Sequence, residues 1–219
     1  MPMKVPEPDP ALAAAAAPEQ KEREALYKPS VRQPEIVNVG CMTFLMIDGD
    51  GDPNSSGFQE AVEALFSLSY TLKFAIKKGI GIDYRVAPLE ALWWSDSMDS
   101  FLAGDRDRWR WTAMIAQPSV VDDAWLVKAM EEVKRKKNPA ALARVRFAGF
   151  TEGLSAQIMH VGPYSEEAPT IEKLHAFIRE QGGTFEGHVQ KHHEIYLGDP
   201  RRAAPEKLKT VIRQPFERA

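Results

Sequence analysis

Apolar and polar residues follow two different periods along the chain, and each change of period marks a predicted element. The apolar run "EIVNVGCMTFLMIDG" at 35–49 predicts a strand, which ends in the turn-forming stretch "DGDGDPNSSG". The segment 58–79 that follows predicts a helix, and Gly79 is its expected end. Its apolar residues recur at the spacing of one helix face: Ala61, Leu65, Leu68, Leu72 and Ile76.

The rest of the chain continues this alternation of strands and helices. Two strand-like stretches, 82–95 and 108–118, are separated by a polar loop at 96–107. A second helix is predicted at 121–138, because two aspartates stand at its start and a basic cluster at its end, as the helix dipole favours. The remaining elements are a strand hairpin with "TEG" as its turn, a third helix and two strands, at 144–162, 165–183, 192–200 and 208–215.

The order strand, helix, strand, strand therefore occurs twice, at about 35–118 and 144–219. Two short matches recur in the same order, "WWSD" then "IAQP" in the first half and "YLGD" then "IRQP" in the second. Because two ordered matches indicate an internal duplication, we predict an α+β fold of duplicated strand–helix–strand–strand modules. Antiparallel sheets with their helices on one side would leave a central ligand cleft between their open faces.

An acidic residue stands inside one of the predicted strands, in the stretch "KHHEIYLGDPRR". Strand alternation sends His193 and Ile195 to one side, with Ile195 towards the core, and sends Glu194 and Tyr196 to the other. If the two halves correspond, Tyr196 occupies the position of Trp93, and both side chains look into the cleft. Glu194 is then either an ordinary solvated carboxylate or the polar group at the floor of a pocket.

Composition narrows the class of protein. The 219 residues are 44% hydrophobic and 27% charged, as in a soluble globular protein with a sizeable core. A formal net charge of -3 argues against a surface that attracts nucleic acid through its phosphates. The single cysteine, Cys41, excludes an internal disulfide, suits a reducing cytosol and is predicted to be a packed core thiol.

The first 33 residues differ in composition from the rest, being rich in proline, alanine and charge. We expect 1–33 to be a flexible tail before one domain at 34–219. No signal peptide or membrane span is visible, since the stretch "ALAAAAA" is too short to cross a bilayer and lacks a basic region before it. The sequence therefore predicts a cytoplasmic monomer or homodimer that binds neither nucleic acid nor a membrane.

Two patterns resemble metal sites, and neither is complete. "DGDGDPNSSGFQ" mimics a calcium loop, but Pro53 stands where glycine is required and Gln59 where the bidentate acid is required. The histidines His188, His192 and His193 fall on loop and strand, and no acid or cysteine set completes a ligand shell. We expect no metal and no other cofactor.

Longer motifs carry a family resemblance. "VGPYSEEAPTIEKLHAFI" followed by "HHEIYLGDPRRAAPEKLKTVIRQP" resembles the GyrI-like small-molecule-binding domain, and the resemblance covers about Pro34 to the C-terminus. "FLMIDGDGDPN", "LWWSD" and "RWRWTAMIAQP" are similar to a stand-alone subgroup, the cyclopropanoid cyclopropyl hydrolases, some members of which hydrolyse cyclopropane-bearing, DNA-alkylating natural products. The resemblance implies duplicated modules around a ligand cleft, with a strand glutamate, here Glu194, that contacts the ligand.

In the hydrolytic subgroup the matching acid is understood to act on water, and elementary chemistry agrees with that role. Opening a cyclopropane conjugated to a dienone needs a nucleophile at the ring carbon. A carboxylate in a partly apolar cleft can deprotonate that water, and we expect desolvation to raise the pKa of Glu194. Tyr164, after "GP" at a strand-to-helix turn, is a candidate donor to a ligand carbonyl or else a staple at the helix start.

A flat polycyclic substrate also needs aromatic walls. The candidates are Trp93, Trp94, Trp111 and Tyr196, and Trp109 shares a face with Trp111. Alternation puts only one of Trp93 and Trp94 on the cleft side, and the repeat favours Trp93. Two functions stay open: a hydrolase that protects against a genotoxin, and a non-catalytic protein that sequesters planar or cationic compounds.

Overall fold

The structure is a computed structural model that describes residues 10–95 and 108–218. The first nine residues of the expected tail, the predicted polar loop at 96–107 and Ala219 lie outside the described residues. The helices are α1 (Pro10–Leu26), α2 (Ser56–Ile80), α3 (Asp123–Lys136) and α4 (Ala168–Glu180). The strands are β1 (Glu35–Asp50), β2 (Leu89–Trp94), β3 (Arg110–Gln117), β4 (Arg146–Val161), β5 (Gly183–Thr184), β6 (His192–Tyr196), β7 (Lys209–Pro215) and β8 (Glu217–Arg218).

Six of these strands form one antiparallel sheet that closes on itself in the order β1-β3-β2-β6-β7-β4. The first half contributes β1-β3-β2, and the second contributes β4-β7-β6 with the same connectivity. The halves join along both edges, through β2 with β6 and through β1 with β4. The predicted α+β fold of two strand–helix–strand–strand modules is confirmed, and the two half-sheets form one continuous surface.

Strand β4 is a single element where the sequence predicted a hairpin. Its 16 residues pair with β1 at one end and with β7 at the other. The expected turn "TEG" lies inside the pairing with β1, where Gly153 has a φ of 76°, in the left-handed region that favours glycine. The prediction of a hairpin is wrong because both strands that pair with β4 are distant in sequence. Turn-forming residues nearby carry no information about such distant partners.

Helix α2 ends two residues later than predicted. Gly81 closes it with a φ of 75°, and its N–H donates to the carbonyl of Lys77. Gly79 has a packing role instead, since a Cβ at this position would lie 2.5 Å from the ring of Trp125 on α3. The missing side chain therefore lets the two helices approach closely.

Strand β1 is buried over only part of its length. The four residues Phe44 to Ile47 are at most 2% exposed, and they form the centre of the larger hydrophobic core together with α2. Cys41 precedes this buried stretch and is exposed. The prediction of a packed core thiol is wrong. The apolar sequence of the strand does not show at which residue other elements begin to pack against it.

The segment before β1 packs against the sheet, which differs from the flexible tail that we expected. Arg23 and Tyr27 are only 5% and 6% exposed. The carbonyl of Ser30 accepts a hydrogen bond of 3.0 Å from the backbone N–H of Met159 in β4. The part of the tail that adjoins the domain is therefore part of the folded body.

The hydroxyl of Tyr27 belongs to a buried polar network within the closed sheet. Its hydroxyl donates to Oε1 of Glu90 at 2.5 Å, and Oε2 of Glu90 lies 3.0 Å from Nε2 of His193. Nδ1 of His193 lies 2.9 Å from Glu152, whose other oxygen accepts from Arg213 at 2.8 Å. Burial opposes both charges, yet the ion pairs prevail: the pKa of Glu152 falls to about 2 and that of His193 rises to about 9.

We expect Tyr27→Phe to destabilise the protein, because the fully buried Glu90 would lose a hydrogen-bond donor. The loss in the free energy of unfolding should be about 1–3 kcal/mol, measured by urea denaturation at neutral pH. Tyr70→Phe is the matched control, since Tyr70 is 47% exposed on α2 and should change stability by less than about 0.5 kcal/mol. Equal urea midpoints for Tyr27→Phe and the unaltered protein would contradict the docking of this segment.

Candidate active site

Glu194 lies on the side of the sheet that carries α2 and α4. Directly opposite it in the register are Ala91 of β2 and Ile212 of β7, and Ile212 packs with the buried face of α4. Trp93, two residues beyond Ala91 and thus on the same side, packs against Phe58 of α2 at a ring distance of 5.3 Å. Glu194 therefore points to the side of the sheet that carries the helices, whereas we expected it to face a cleft between the open faces.

The two halves correspond in a register that differs from the predicted one. Tyr196 pairs with the residue four positions before the glutamine of "IRQP". In the first half, the residue four positions before the glutamine of "IAQP" pairs with Ala91. Tyr196 therefore corresponds to Ala91, and the predicted match with Trp93 is off by two residues. Because two residues is one full strand period, Trp93 and Tyr196 still point to the same side.

A chain of hydrogen bonds crosses the seam between β2 and β6. Nε1 of Trp93 donates to the hydroxyl of Tyr196 at 2.9 Å, and that hydroxyl donates to Oε2 of Glu194 at 2.6 Å. The other carboxylate oxygen, Oε1, lies 3.2 Å from Nε2 of His192. The side chain of Glu194 is 15% exposed, so the carboxylate is held by protein groups and keeps a small accessible surface.

A second carboxyl group, Glu167, adjoins Glu194 and was missed in the sequence. It is the residue just before α4, it is 4% exposed, and it lies within hydrogen-bonding reach of Glu194. Burial and the neighbouring negative charge raise the pKa of Glu167 to about 9. Glu167 is therefore protonated at neutral pH and can donate a hydrogen bond to the carboxylate.

The pKa of Glu194 is lowered, whereas we expected desolvation to raise it. Burial does raise it, but hydrogen bonds from His192, Tyr196 and Glu167 favour the charged form and outweigh burial. The expectation of a raised pKa for Glu194 is wrong. The two carboxyl groups share one negative charge, which resides on Glu194.

No local pattern in the sequence would have revealed this pair. The stretch "SEEAPT" marks a helix start. Glutamates are common there because the helix dipole favours negative charge, so Glu167 gave no sign of a functional role. His192 drew attention only as a possible metal ligand. Contact between Glu167 and β6 depends on how α4 sits on the sheet, and this is a tertiary fact.

Tyr164 lies at the edge of the same site, in the short 3-10 turn before α4. Its ring meets that of Tyr196 edge-on, at a centroid distance of 5.5 Å, and its side chain is partly exposed. Burial raises the pKa of Tyr164 to about 12, and the charge of Glu194 adds to the effect. The hydroxyl therefore stays protonated at neutral pH and can donate.

Three tryptophans line or support this side of the sheet. Trp93 contacts Trp109 at a ring distance of 5.7 Å and is itself 2% exposed. Trp111 is 1% exposed and stands edge-on to Phe58 at 5.0 Å. Its indole covers Gly49 so closely that any Cβ there would overlap the ring. Trp111 is therefore a buried support behind the site, whereas Trp93 reaches the carboxylate through Tyr196.

Trp94 does not belong to this group. It neighbours Trp93 in β2, so its side chain points to the opposite side of the sheet. There the ammonium of Lys191 lies 3.6 Å from the centre of its ring, a cation–π contact. The candidate role of Trp94 as a wall beside Glu194 is corrected accordingly.

The described part of the chain offers neither a metal site nor a membrane-spanning helix. No group of three His, Cys, Asp or Glu side chains there is arranged to hold a metal ion. None of the helices at 10–95 and 108–218 combines the length and the apolar character that crossing a membrane requires.

Comparison with known proteins gives the family. The model of the GyrI-like small molecule binding domain matches residues 32–216. The solved structure of an uncharacterized conserved protein from Listeria innocua is 42% identical with a TM-score of 0.83, and the match covers 90% of this chain and 98% of that one. The structure of a hydrolase from Listeria innocua is 40% identical with a TM-score of 0.79, again covering 90% and 98%.

A more distant structure shares the fold alone. The C-terminal domain of EcmrR is 10% identical with a TM-score of 0.56, and the match covers 85% of this chain and 98% of that domain. No curated protein sequence matches the chain.

We expect one glutamate carboxyl group to titrate at high pH, with a midpoint near 9 as for Glu167. Carbon-13 NMR of glutamate carboxyl groups over pH 5 to 11 measures it. Glu167→Gln should abolish this transition. Glu194→Gln should move it downwards, because the negative charge that opposes ionisation is gone, but burial should still hold it above the ordinary value. A full set of carboxyl groups titrating near pH 4 would contradict the shared charge.

Proposed function

The chain belongs to the family of GyrI-like small-molecule-binding domains, and from that premise we propose that it binds planar aromatic electrophiles and hydrolyses a strained cyclopropane ring within them. The natural products that carry such rings alkylate DNA, so the reaction amounts to detoxification. The observation that supports the proposal most is the ionised, partly accessible Glu194 beside the protonated Glu167. The Listeria protein described as a hydrolase supports a reaction of this general type.

The proposed reaction balances without a cofactor. The oxygen of water bonds to the unsubstituted ring carbon as one carbon–carbon bond of the cyclopropane breaks. The released electron pair moves through the conjugated system to the carbonyl oxygen, which becomes a phenolate. A proton of the water passes to Glu194, which keeps one of its four acceptor sites beyond the hydrogen bonds from Tyr196, His192 and Glu167. General-base assistance of this kind is worth about 100- to 10,000-fold.

Proton donors around the carboxylate complete the proposal. The phenolate oxygen accepts a hydrogen bond from Tyr164, which is protonated, partly exposed and close to Tyr196. The proton that Glu194 takes from water passes through solvent to the phenolate, which restores the carboxylate. Glu167 holds a second proton at neutral pH. It keeps Glu194 ionised before the reaction by donating a hydrogen bond to it. We assign Glu194 the role of base, Tyr164 that of donor to the carbonyl oxygen, and Glu167 that of a positioning residue.

Aromatic rings next to the carboxylate support a flat substrate. Trp93 packs between Phe58 and Trp109, and Tyr164 meets Tyr196, at ring distances between 5.3 and 5.7 Å. Of these rings, the exposed Tyr164 offers the most surface to a ligand, whereas Trp93 and Phe58 are buried. Each aromatic pair adds about 0.5–1.5 kcal/mol beyond the burial of area. A planar polycycle is therefore favoured over a flexible aliphatic chain at this site.

The second candidate function is non-catalytic binding of planar cations. One observation favours it: the hydrogen bonds to Glu194 lower its pKa, which makes the carboxylate a lasting anion and a weaker base. A cation over such an anion gains from its charge without any proton transfer. In that case the same cleft sequesters the compound and releases it unchanged.

We expect the purified protein to convert a duocarmycin-like cyclopropane compound to its ring-opened water adduct, detected by mass spectrometry of the ligand. Glu194→Gln should lower turnover by about 100-fold or more while tryptophan quenching still reports binding. Glu186→Gln is the matched control, since the carboxylate of Glu186 is 73% exposed, and its turnover should be unchanged.

The recovered ligand also separates the two functions. Ring-opened product with the unaltered protein, and intact ligand with Glu194→Gln, agree with hydrolysis. Intact ligand with both proteins, together with quenching by planar cations that Glu194→Gln weakens, means that the protein is a binder. Full turnover by Glu194→Gln would exclude the role of Glu194 as base.

A further inference from the structure

A cavity opens at the edge of the sheet, and none of Glu194, Glu167 and Tyr196 lines it. Its volume is about 700 Å³, within the range of about 300–1,000 Å³ typical of small-molecule pockets. It opens between the segment just before β6, the ends of β7 and β8, and the middle of β4. Leu92 lines it and is the neighbour of Trp93 in β2, so strand alternation points Leu92 away from Glu194, whereas the lining residues Leu154 and Phe216 belong to the hydrophobic cluster under α4. We call it the rear cavity.

The acidic group in the rear cavity is already neutralised. Glu152 is the lining residue that reaches the buried network, and its side chain is 1% exposed. One oxygen lies 2.9 Å from His193, and the other accepts from Arg213 at 2.8 Å. Because both partners are positively charged, this end of the cavity presents no net negative charge to a ligand.

The walls of the rear cavity are mainly apolar. Leu92, Phe150, Leu154 and Phe216 contribute hydrophobic surface to it. Val189 lines the cavity and is nevertheless 60% exposed. An apolar side chain this exposed at the lip of an apolar pocket gains from being covered.

The rim carries two cations against one acid. Lys191 and Arg218 line the cavity together with Glu217, and the carboxylate of Glu217 already accepts a hydrogen bond of 2.9 Å from Gln190. Lys191 also lies over the ring of Trp94. Among the described lining residues, the balance of accessible charge at the rim is therefore positive.

We propose that the rear cavity is a second binding site, for an amphipathic carboxylate whose apolar body lies against Phe150 and Leu154 and whose head group meets Lys191 and Arg218. The chemistry is opposite to that of the Glu194 site, where the anion is supplied by the protein. A neutralised floor, apolar walls and a basic rim together favour an anionic amphiphile over a cationic one.

Isothermal titration calorimetry of the full chain with decanoate, decanol and decylamine tests the class of ligand. Decanoate should bind more tightly than decanol, and decylamine more weakly than either. Binding should also change the fluorescence of Trp94, because the carboxylate competes for the ammonium of Lys191. Absence of decanoate binding, or decylamine binding as tightly as decanoate, would overturn the proposal.

Variants test the location. Lys191→Ala combined with Arg218→Ala should weaken decanoate about five-fold at low salt, since exposed ion pairs each contribute about 0.2–1 kcal/mol, and should leave decanol unchanged. Val189→Asp should weaken both ligands, whereas Val127→Asp, at a position 57% exposed on α3, should weaken neither. Val189 and Arg218 are exposed and Lys191 is partly exposed, so we expect all of these variants to fold.

Glu194→Gln separates this proposal from the proposed function. The variant should bind decanoate as the unaltered protein does, because Glu194 does not line the rear cavity. If Glu194→Gln changes decanoate affinity several-fold while the rim variants do not, the carboxylate binds at the Glu194 site and the proposal is wrong. Whether Glu194→Gln still opens the cyclopropane ring does not affect this comparison, because only decanoate binding is measured.

Discussion

The pairing of β2 with β6 is the contact on which the candidate site depends. It sets Trp93 opposite His192 and Ala91 opposite Glu194, so that an indole from one half of the chain reaches a carboxylate from the other. The second half supplies both carboxyl groups and the hydrogen bonds to Glu194, and the first half adds the indole that donates to Tyr196. A slip of one residue would turn Glu194 to the opposite side of the sheet, because side chains alternate with a period of two. The register of a single five-residue strand therefore decides whether the site exists.

The buried network on the other side of the same strands specifies that register. His193 adjoins Glu194 in sequence and points the other way, between Glu90 of β2 and Glu152 of β4. Moving β6 by one residue would leave several buried charges unpaired, which is far more costly than the loss of apolar contacts. Buried ion pairs gain little stability over apolar side chains of similar size, but they penalise wrong pairings strongly. The fixed geometry of these ion pairs holds β6 in the register that keeps Glu194 on the side of Tyr164 and Glu167.

Sequence patterns predicted which side of a strand each residue faces. The contacts between distant elements, which set the partners of Glu194 and its pKa, could not be predicted from them. Alternation placed Glu194 and Tyr196 on one side and Ile195 in the core, where Ile195 is indeed 0% exposed. The same reasoning could not find Glu167, since its contact with Glu194 bridges a helix start and a distant strand. It also gave the wrong sign for the pKa of Glu194, because burial can be inferred from a pattern but hydrogen-bond donors from other elements cannot.

The charge state of the carboxyl pair also limits which reaction the site can perform. Three donors hold Glu194 in its ionised form, so it is always ready to accept a proton but accepts one weakly. A weak base suffices only where the electrophile supplies most of the driving force. Opening a cyclopropane relieves ring strain and creates an aromatic phenolate, whereas hydrolysis of an amide offers neither gain. The hydrogen bonds that make Glu194 a poor general base for ordinary acyl transfer therefore leave it suited to a strained, conjugated ring.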